Sequence, residues 1–229
     1  MWKSNVSWSA GLMSGALVLC LAGCSEPADP PGESAVAAEP TVEVEEGAMS
    51  QETNIEVAER FIDAFYSFDP ERLSALLTAA ESSAEGILYY QGWAEGGNYK
   101  VVKRGPCVAE SDSVVVCPIT VDDDPVLALN TGFKVTDTFT LTFEDGKITN
   151  IDTSSDDQPI YYKAREWVKA NMPEVMEGPC KDMRDGGKTP GDCARAMTEG
   201  YRRFAATEEY AAAMAEQQAA ELPDAGAET

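Results

Sequence analysis

Phe133-Lys134-Val135-Thr136-Asp137-Thr138-Phe139-Thr140-Leu141-Thr142-Phe143-Glu144-Asp145-Gly146-Lys147-Ile148 decides the fold. Phe133, Val135, Asp137, Phe139, Leu141 and Phe143 fall at every second position, with Lys134 and a row of threonines between them. Side chains on a strand point alternately to its two faces, so this pattern predicts a strand with one buried face and one wet face. Glu144-Asp145-Gly146-Lys147 is a hairpin signal, because Asp-Gly accepts the left-handed backbone that a tight turn needs. Residues 148–153 return as the next strand. Upstream, residues 99–109 and 113–121 read as an antiparallel pair turning at Glu110-Ser111-Asp112, and Asp122-Asp123-Asp124-Pro125 ends the second of them.

Before the strands the period changes to that of a helix. Thr53-x-x-Glu56 is a capping box. Val57, Phe61, Ala64, Phe65 and Phe68 then share one face, widened by Ala58 and Ile62, while Glu56, Glu59, Arg60 and Asp63 lie opposite and are expected in solvent. Asp69-Pro70-Glu71 starts a second helix, with Asp as cap and Pro in the first turn. Residues 81–96 are ambiguous: Ile87-Leu88-Tyr89-Tyr90 suits a strand, while the length and the Ala and Glu content suit a third helix, the reading adopted here. Beyond the sheet, residues 158–176 read as helix, ended or kinked at Pro173. A Gly-rich loop follows over 181–192, then one Ala/Glu-rich helix over 194–222.

The N-terminus reads as an export signal. Met1-Trp2-Lys3, an apolar run over 10–22 and the small residues before Cys24 form a secretory signal peptide, too short for a permanent membrane span. Residues 24–51 are rich in Pro, Ala, Glu, Gly and Ser without aromatics, an acidic tether that cannot bury enough apolar surface to fold. The expected organisation is signal peptide 1–23, tether 24–51, an α+β domain over 52–156, a helical extension over 157–222 and a disordered tail over 223–229.

The chain carries a net charge of −23, and loss of Lys3 with the signal takes it to −24. Such a chain is repelled by phosphate backbones and anionic lipid surfaces, which excludes nucleic acid as a partner and explains solubility. With Cys20 in the signal and Cys24 at its end, Cys107, Cys117, Cys180 and Cys193 remain, an even set suited to an oxidising compartment. Three pairings are formally open. Cys107–Cys117 and Cys180–Cys193 are expected, because each pair is close in sequence and brackets turn-like residues. A turn centred on Asp112 also sets Cys107 opposite Cys117. The chain has no histidine and no Cys-x-x-Cys, so no zinc site and no cofactor is expected. Asp122, Asp123 and Asp124 with Asp152, Asp156 and Asp157 lack the spacing of a calcium loop and read as solvated turns.

Two resemblances follow. Leu21-Ala22-Gly23-Cys24 resembles the bacterial lipoprotein signal, which implies a diacylglyceryl group and palmitate-type acylation on Cys24 and a lipid-anchored place in the cell envelope. Ser25 after that Cys resembles the outer-membrane sorting pattern if the source is Gram-negative; otherwise the outer face of the plasma membrane is implied. Ala58-Glu59-Arg60-Phe61-Ile62-Asp63-Ala64-Phe65 with Asp69-Pro70-Glu71 looks like the opening helix pair of the nuclear transport factor 2-like (SnoaL-like) superfamily, and Phe143-Glu144-Asp145-Gly146-Lys147-Ile148 resembles its hairpin. That likeness implies a cone-shaped curved antiparallel sheet packed on N-terminal helices, often around a pocket. It leaves function open. The positions that match the tyrosine and acid of the ketosteroid isomerases hold Phe61 and Phe139, and the histidine of related dehydratases and cyclases has no counterpart.

The strongest candidate for chemistry is therefore Asp137, a carboxylate on an otherwise apolar strand face. Such a group is hydrogen-bonded, borders a pocket, or has its pKa raised by burial. Tyr66, Tyr89, Tyr90 and Trp93 are candidate linings of the same pocket, with plain core packing as the competing reading. The functional expectation leans away from an enzyme. It is a lipid-anchored extracytoplasmic binding or assembly module that presents a pocket or sheet to an envelope protein or a small apolar ligand, with a homodimer through the sheet as one form. The alternatives are a pocket isomerase, dehydratase or hydrolase using Asp137 with a tyrosine, and a structural subunit that contacts partners through its C-terminal helices.

Overall fold

The computed structural model describes residues 53–182 and 189–221. The signal peptide, the lipidation site Cys24, the tether, part of the Gly-rich loop and the C-terminal tail lie outside the described residues. Helix α1 (Asn54–Phe65) opens with the capping box: Thr53 Oγ1 accepts from the Glu56 amide at 3.3 Å, and a Glu56 carboxylate oxygen accepts from the Thr53 amide at 2.7 Å. Its apolar stripe is buried from Val57 to Phe65. Asp69 caps α2 (Pro70–Ser74), its Oδ1 accepting from the amides of Glu71 and Arg72 at 3.0 and 3.1 Å. Residues Glu81–Gly96 form a helix, α3. It holds the end of α1: buried Gln91 donates from Nε2 to the carbonyls of Ala64 and Phe65, both at 3.0 Å, filling acceptors that a helix C-terminus leaves unpaired.

The single strand expected over 99–109 is two strands, β1 (Lys100–Arg104) and β2 (Val108–Ser111). The break falls at Gly105-Pro106-Cys107, where proline has no N–H for a ladder and restricts the residue before it. β3 (Val114–Asp122) pairs antiparallel with both. Val108 faces Val116, so Cys107 and Cys117 are opposed, and the Cys107–Cys117 disulfide joins them at a Cα–Cα distance of 4.2 Å. A short helix absent from the sequence reading, α4 (Asp124–Leu127), follows. β4 (Val135–Glu144) starts two residues later than expected. Asp145 and Gly146, at φ 49° and 72°, turn it into β5 (Lys147–Ser155). Four strands lie in the order β1-β3-β4-β5, with β2 beyond β1 along the same side of β3, and the sheet is curved. Bulges in all three kinds of outer pairing add to that bend.

The C-terminal helices also divide further than expected. Proline at 173 splits the 158–176 segment into α5 (Pro159–Asn171) and α6 (Pro173–Glu177). The helix expected over 194–222 is α7 (Pro190–Ala205) and α8 (Glu208–Glu221). Thr207 makes that break, because its hydroxyl oxygen accepts from the Tyr210 amide at 3.1 Å and so caps α8. The Cys180–Cys193 disulfide ties the region after α6 to α7. Among the described residues no helix is long and apolar enough to cross a membrane.

One core lies between the inner sheet face and α1, α2 and α3; a second lies among α3, α5, α6 and α7. Phe139 is the hub of the first, its ring 5.7 Å from Phe61, 4.9 Å from Phe65, 6.3 Å from Tyr66 and 6.1 Å from Tyr90. Asp63, exposed as expected, joins Glu59 in holding the Arg104 guanidinium, which fastens β1 to α1. In the second core α3 crosses α7 at glycine: a Cβ on Gly96 would lie 2.3 Å from the Gly191 Cα. Gly96→Ala is therefore expected to destabilise by about 1–3 kcal/mol through overpacking. Gly86→Ala, on the same helix with nothing within 4 Å of the new methyl, is expected to stabilise by about 0.4–1 kcal/mol. Thermal unfolding of the two variants, which carry one substitution with opposite expected signs, checks both.

Candidate functional site

Alternation along β4 carries Asp137 onto the inner face between Val135 and Phe139, where it faces Ile119 of β3 and Ser155 of β5. It is 2% exposed. Tyr66, the residue that ends α1, donates its hydroxyl to Asp137 Oδ2 at 3.3 Å. The hydroxyl of Tyr90 on α3 favours the charged form of Asp137, and its ring is stacked on Phe139. Burial pushes the Asp137 carboxyl up to about 7. The charges of Asp157 and Asp156 add to the rise, and the hydroxyls of Tyr90 and Tyr66 oppose it. Burial and Asp137 together hold the Tyr66 hydroxyl far above its ordinary value.

A second buried carboxylate, unforeseen in the sequence, interacts with the first through its charge. Asp123 is also 2% exposed. Its Oδ1 accepts from the Val126 amide at 2.8 Å as the cap of α4, and its Oδ2 is buried without a hydrogen-bond partner. Burial raises this carboxyl to about 7 as well, reinforced by Asp137 and Asp157. The signal was present: Asp123-Asp124-Pro125 repeats the Asp-then-Pro helix start that was read correctly at Asp69-Pro70. Its burial depends on where α4 packs, which no local pattern reveals.

Tyrosines complete the cluster. Tyr99 packs against the core that holds Trp93, and its hydroxyl is raised by burial and by the charges of Asp123 and Asp137. Tyr90, Tyr99 and Tyr161 pack against both cores, so they form the seam between the sheet half and the C-terminal helices. Tyr161 meets the fully buried Tyr201 edge-on at 5.3 Å. Of the sequence candidates, Asp137, Tyr66 and Tyr90 thus come together directly, and Trp93 lies in the core against which Tyr99 packs. Tyr89 is half-buried and, one residue from Tyr90, points about 100° further round the helix.

The remaining acids have separate tasks. Asp122 pairs with Lys134, Asp156 accepts from the Thr136 amide at 2.6 Å, and Asp152 accepts from Asn150. Among the described residues no group of three or more acids and cysteines is placed to hold a metal ion. The two positions that the resemblance equates with isomerase machinery, Phe61 and Phe139, are an edge-to-face ring pair.

Two carboxyls raised to about 7 bind more protons in the native chain than in the unfolded one. Their contribution to stability is therefore fully present below about pH 4, declines as pH rises, and is spent above about pH 7. The melting temperature of wild type is expected to fall by several degrees, relative to Asp123→Asn/Asp137→Asn, between pH 5 and pH 8, at about 2–4 °C per kcal/mol for a chain of this size. Scanning calorimetry of both proteins across that range measures the difference, and parallel curves would contradict it.

No family model matches the sequence, and no curated protein matches it. Two solved structures are similar in fold. A protein of unknown function with a cystatin-like fold from Xanthomonas campestris is 18% identical over 47% of this chain and 93% of its own, with a TM-score of 0.37. An NTF2-like protein of unknown function from Cytophaga hutchinsonii is 14% identical over 49% of this chain and 98% of its own, with a TM-score of 0.35. The chain has a mixed α+β fold in which a curved antiparallel sheet packs on helices, extended by C-terminal helices.

Proposed function

We propose that this protein is a binding or assembly module of the cell envelope, anchored by lipid on Cys24 and without catalytic activity. The observation that carries the reading is the enclosure of the candidate acid Asp137. Asp137 is 2% exposed, the Tyr66 hydroxyl already bonds to it, and Tyr90, which packs against both cores, acts on it from α3. A general base must come within hydrogen-bond reach of a substrate proton, and this one is occupied by the protein itself. The sheet, by contrast, turns a continuous threonine-rich face outward through Thr136, Thr138, Thr140 and Thr142, each half-buried, as a contact surface for an envelope protein. The near-neutral carboxyls favour a second reading, a pocket enzyme that opens at the seam and uses Asp137 with Tyr66 or Tyr90.

Two measurements test the proposal. Metabolic labelling with a tagged fatty acid is expected to mark the wild-type chain and leave Cys24→Ser unmarked; equal labelling would remove the anchor. Native mass spectrometry of the protein released from envelopes is expected to show two intact disulfides and no small molecule retained by Asp137. A bound compound lost in Asp137→Asn would favour the pocket enzyme instead.

A further inference from the structure

One of the two edges of the sheet differs in chemistry from the rest of the molecule. β3 uses one side for β4 along its whole length, so β1 and β2 lie end to end on its other side and form the terminal edge. Every residue of both strands is exposed. Val101, Val102 and Val108 are 43%, 45% and 54% exposed, half of the large apolar side chains open to solvent among the described residues. Beside them stand Lys100 and Lys103, which enter no ion pair among the described residues, while Arg104 is committed to Glu59 and Asp63. In a chain of net charge −23 this places two exposed lysines on an apolar strand edge, with Asp122 opposite Lys100 in the ladder and Glu110 the one acid within the two edge strands.

An open strand edge presents unpaired N–H and C=O groups that template another strand, and lysine on an edge is a common guard against unwanted pairing. Here the lysines also select. A second copy approaching edge to edge would set lysine against lysine, and like charges opposed across a ladder are destabilising. Along β1, Val101 lies opposite the buried Val121 while Lys100 and Lys103 lie opposite Asp122 and Thr120 on the other face, so a strand whose side chains alternate between apolar and acidic meets valine with one set and the lysines with the other, while its backbone completes the ladder. We infer that the β1–β2 edge is a docking site for an extended acidic segment of a partner protein, one in which apolar and acidic residues alternate. The inference rests on the reading of this chain as a binding module and names the surface and the chemistry of its partner. Gly105-Pro106 and the bulges beside Val102 and Ser111 divide the edge into two short strips, so the segment pairs over a few residues at a time.

The test uses the full chain and a fluorescent synthetic peptide of alternating valine and glutamate, with a valine–lysine peptide as control. Anisotropy is expected to show binding of the acidic peptide only. That binding should weaken at least tenfold in Lys100→Glu/Lys103→Glu and fall with added salt. Both lysines are exposed, and an unchanged melting temperature verifies that the variant is folded. Hydrogen exchange is expected to slow at the amides of β1 and β2 when the peptide is present. Absence of binding, equal binding by the charge-reversed chain, or self-association that the peptide does not compete would overturn the inference. If the peptide fails while the chain still crosslinks to an envelope protein, the edge assignment falls alone; loss of both would also remove the module reading.

Discussion

Phe139 against the rings of α1 and α3 is the contact on which the architecture depends. It sits at the middle of the central strand pair and touches four aromatic rings from two helices. Burial of such rings dominates core energetics, and edge-to-face geometry adds about 0.5–1.5 kcal/mol per pair beyond area. The same contact sets the register of β4, because a slip of one residue would turn every inner side chain outward. With Phe139 inside, Asp137 must also be inside, two residues along the same face. The buried acid is thus a consequence of the strand that forms the core.

A carboxyl in that position is costly unless it is neutral or bonded. The protein uses both remedies, with the Tyr66 hydroxyl bonded to it and a pKa raised to about 7. Asp123 repeats the arrangement at the head of α4. These groups stand where the two cores meet, joined by Tyr90, Tyr99 and Tyr161. A polar, aromatic seam is a specific join, since each hydroxyl needs its own partner while apolar surfaces tolerate sliding. The C-terminal helices therefore sit on the sheet half in one definite way, reinforced by the close glycine crossing of α3 and α7 and by the Cys180–Cys193 bridge.

Much of this was legible locally. The capping box at Thr53, the Asp-Pro helix start, the β4 alternation and the Asp-Gly turn each correspond to a short-range interaction, a cap bond or a dihedral preference, so they can be read without neighbours. Both disulfides follow from sequence proximity, and for Cys107–Cys117 from the turn between them. The errors share another cause. The break in the first strand at Gly105-Pro106 and the helix break at Thr207 were written in residues that serve more than one purpose, and only packing decided which. Asp63 is solvated as its helix face implies, but its ion pair with Arg104 could not be read locally, because the two lie 41 residues apart.

Alone, the sequence determined the α+β class, the disulfide pairs, the acidity and the face of β4 on which Asp137 lies, because caps, turns and side-chain period act over a few residues. Only the tertiary structure decided that Asp123 is buried within charge range of Asp137, that tyrosines from separate segments meet at the seam between the cores, and that the β1–β2 edge is open among the described residues. Those outcomes depend on which distant surfaces meet. That is set by the summed burial of apolar area across the whole chain, which no short stretch encodes.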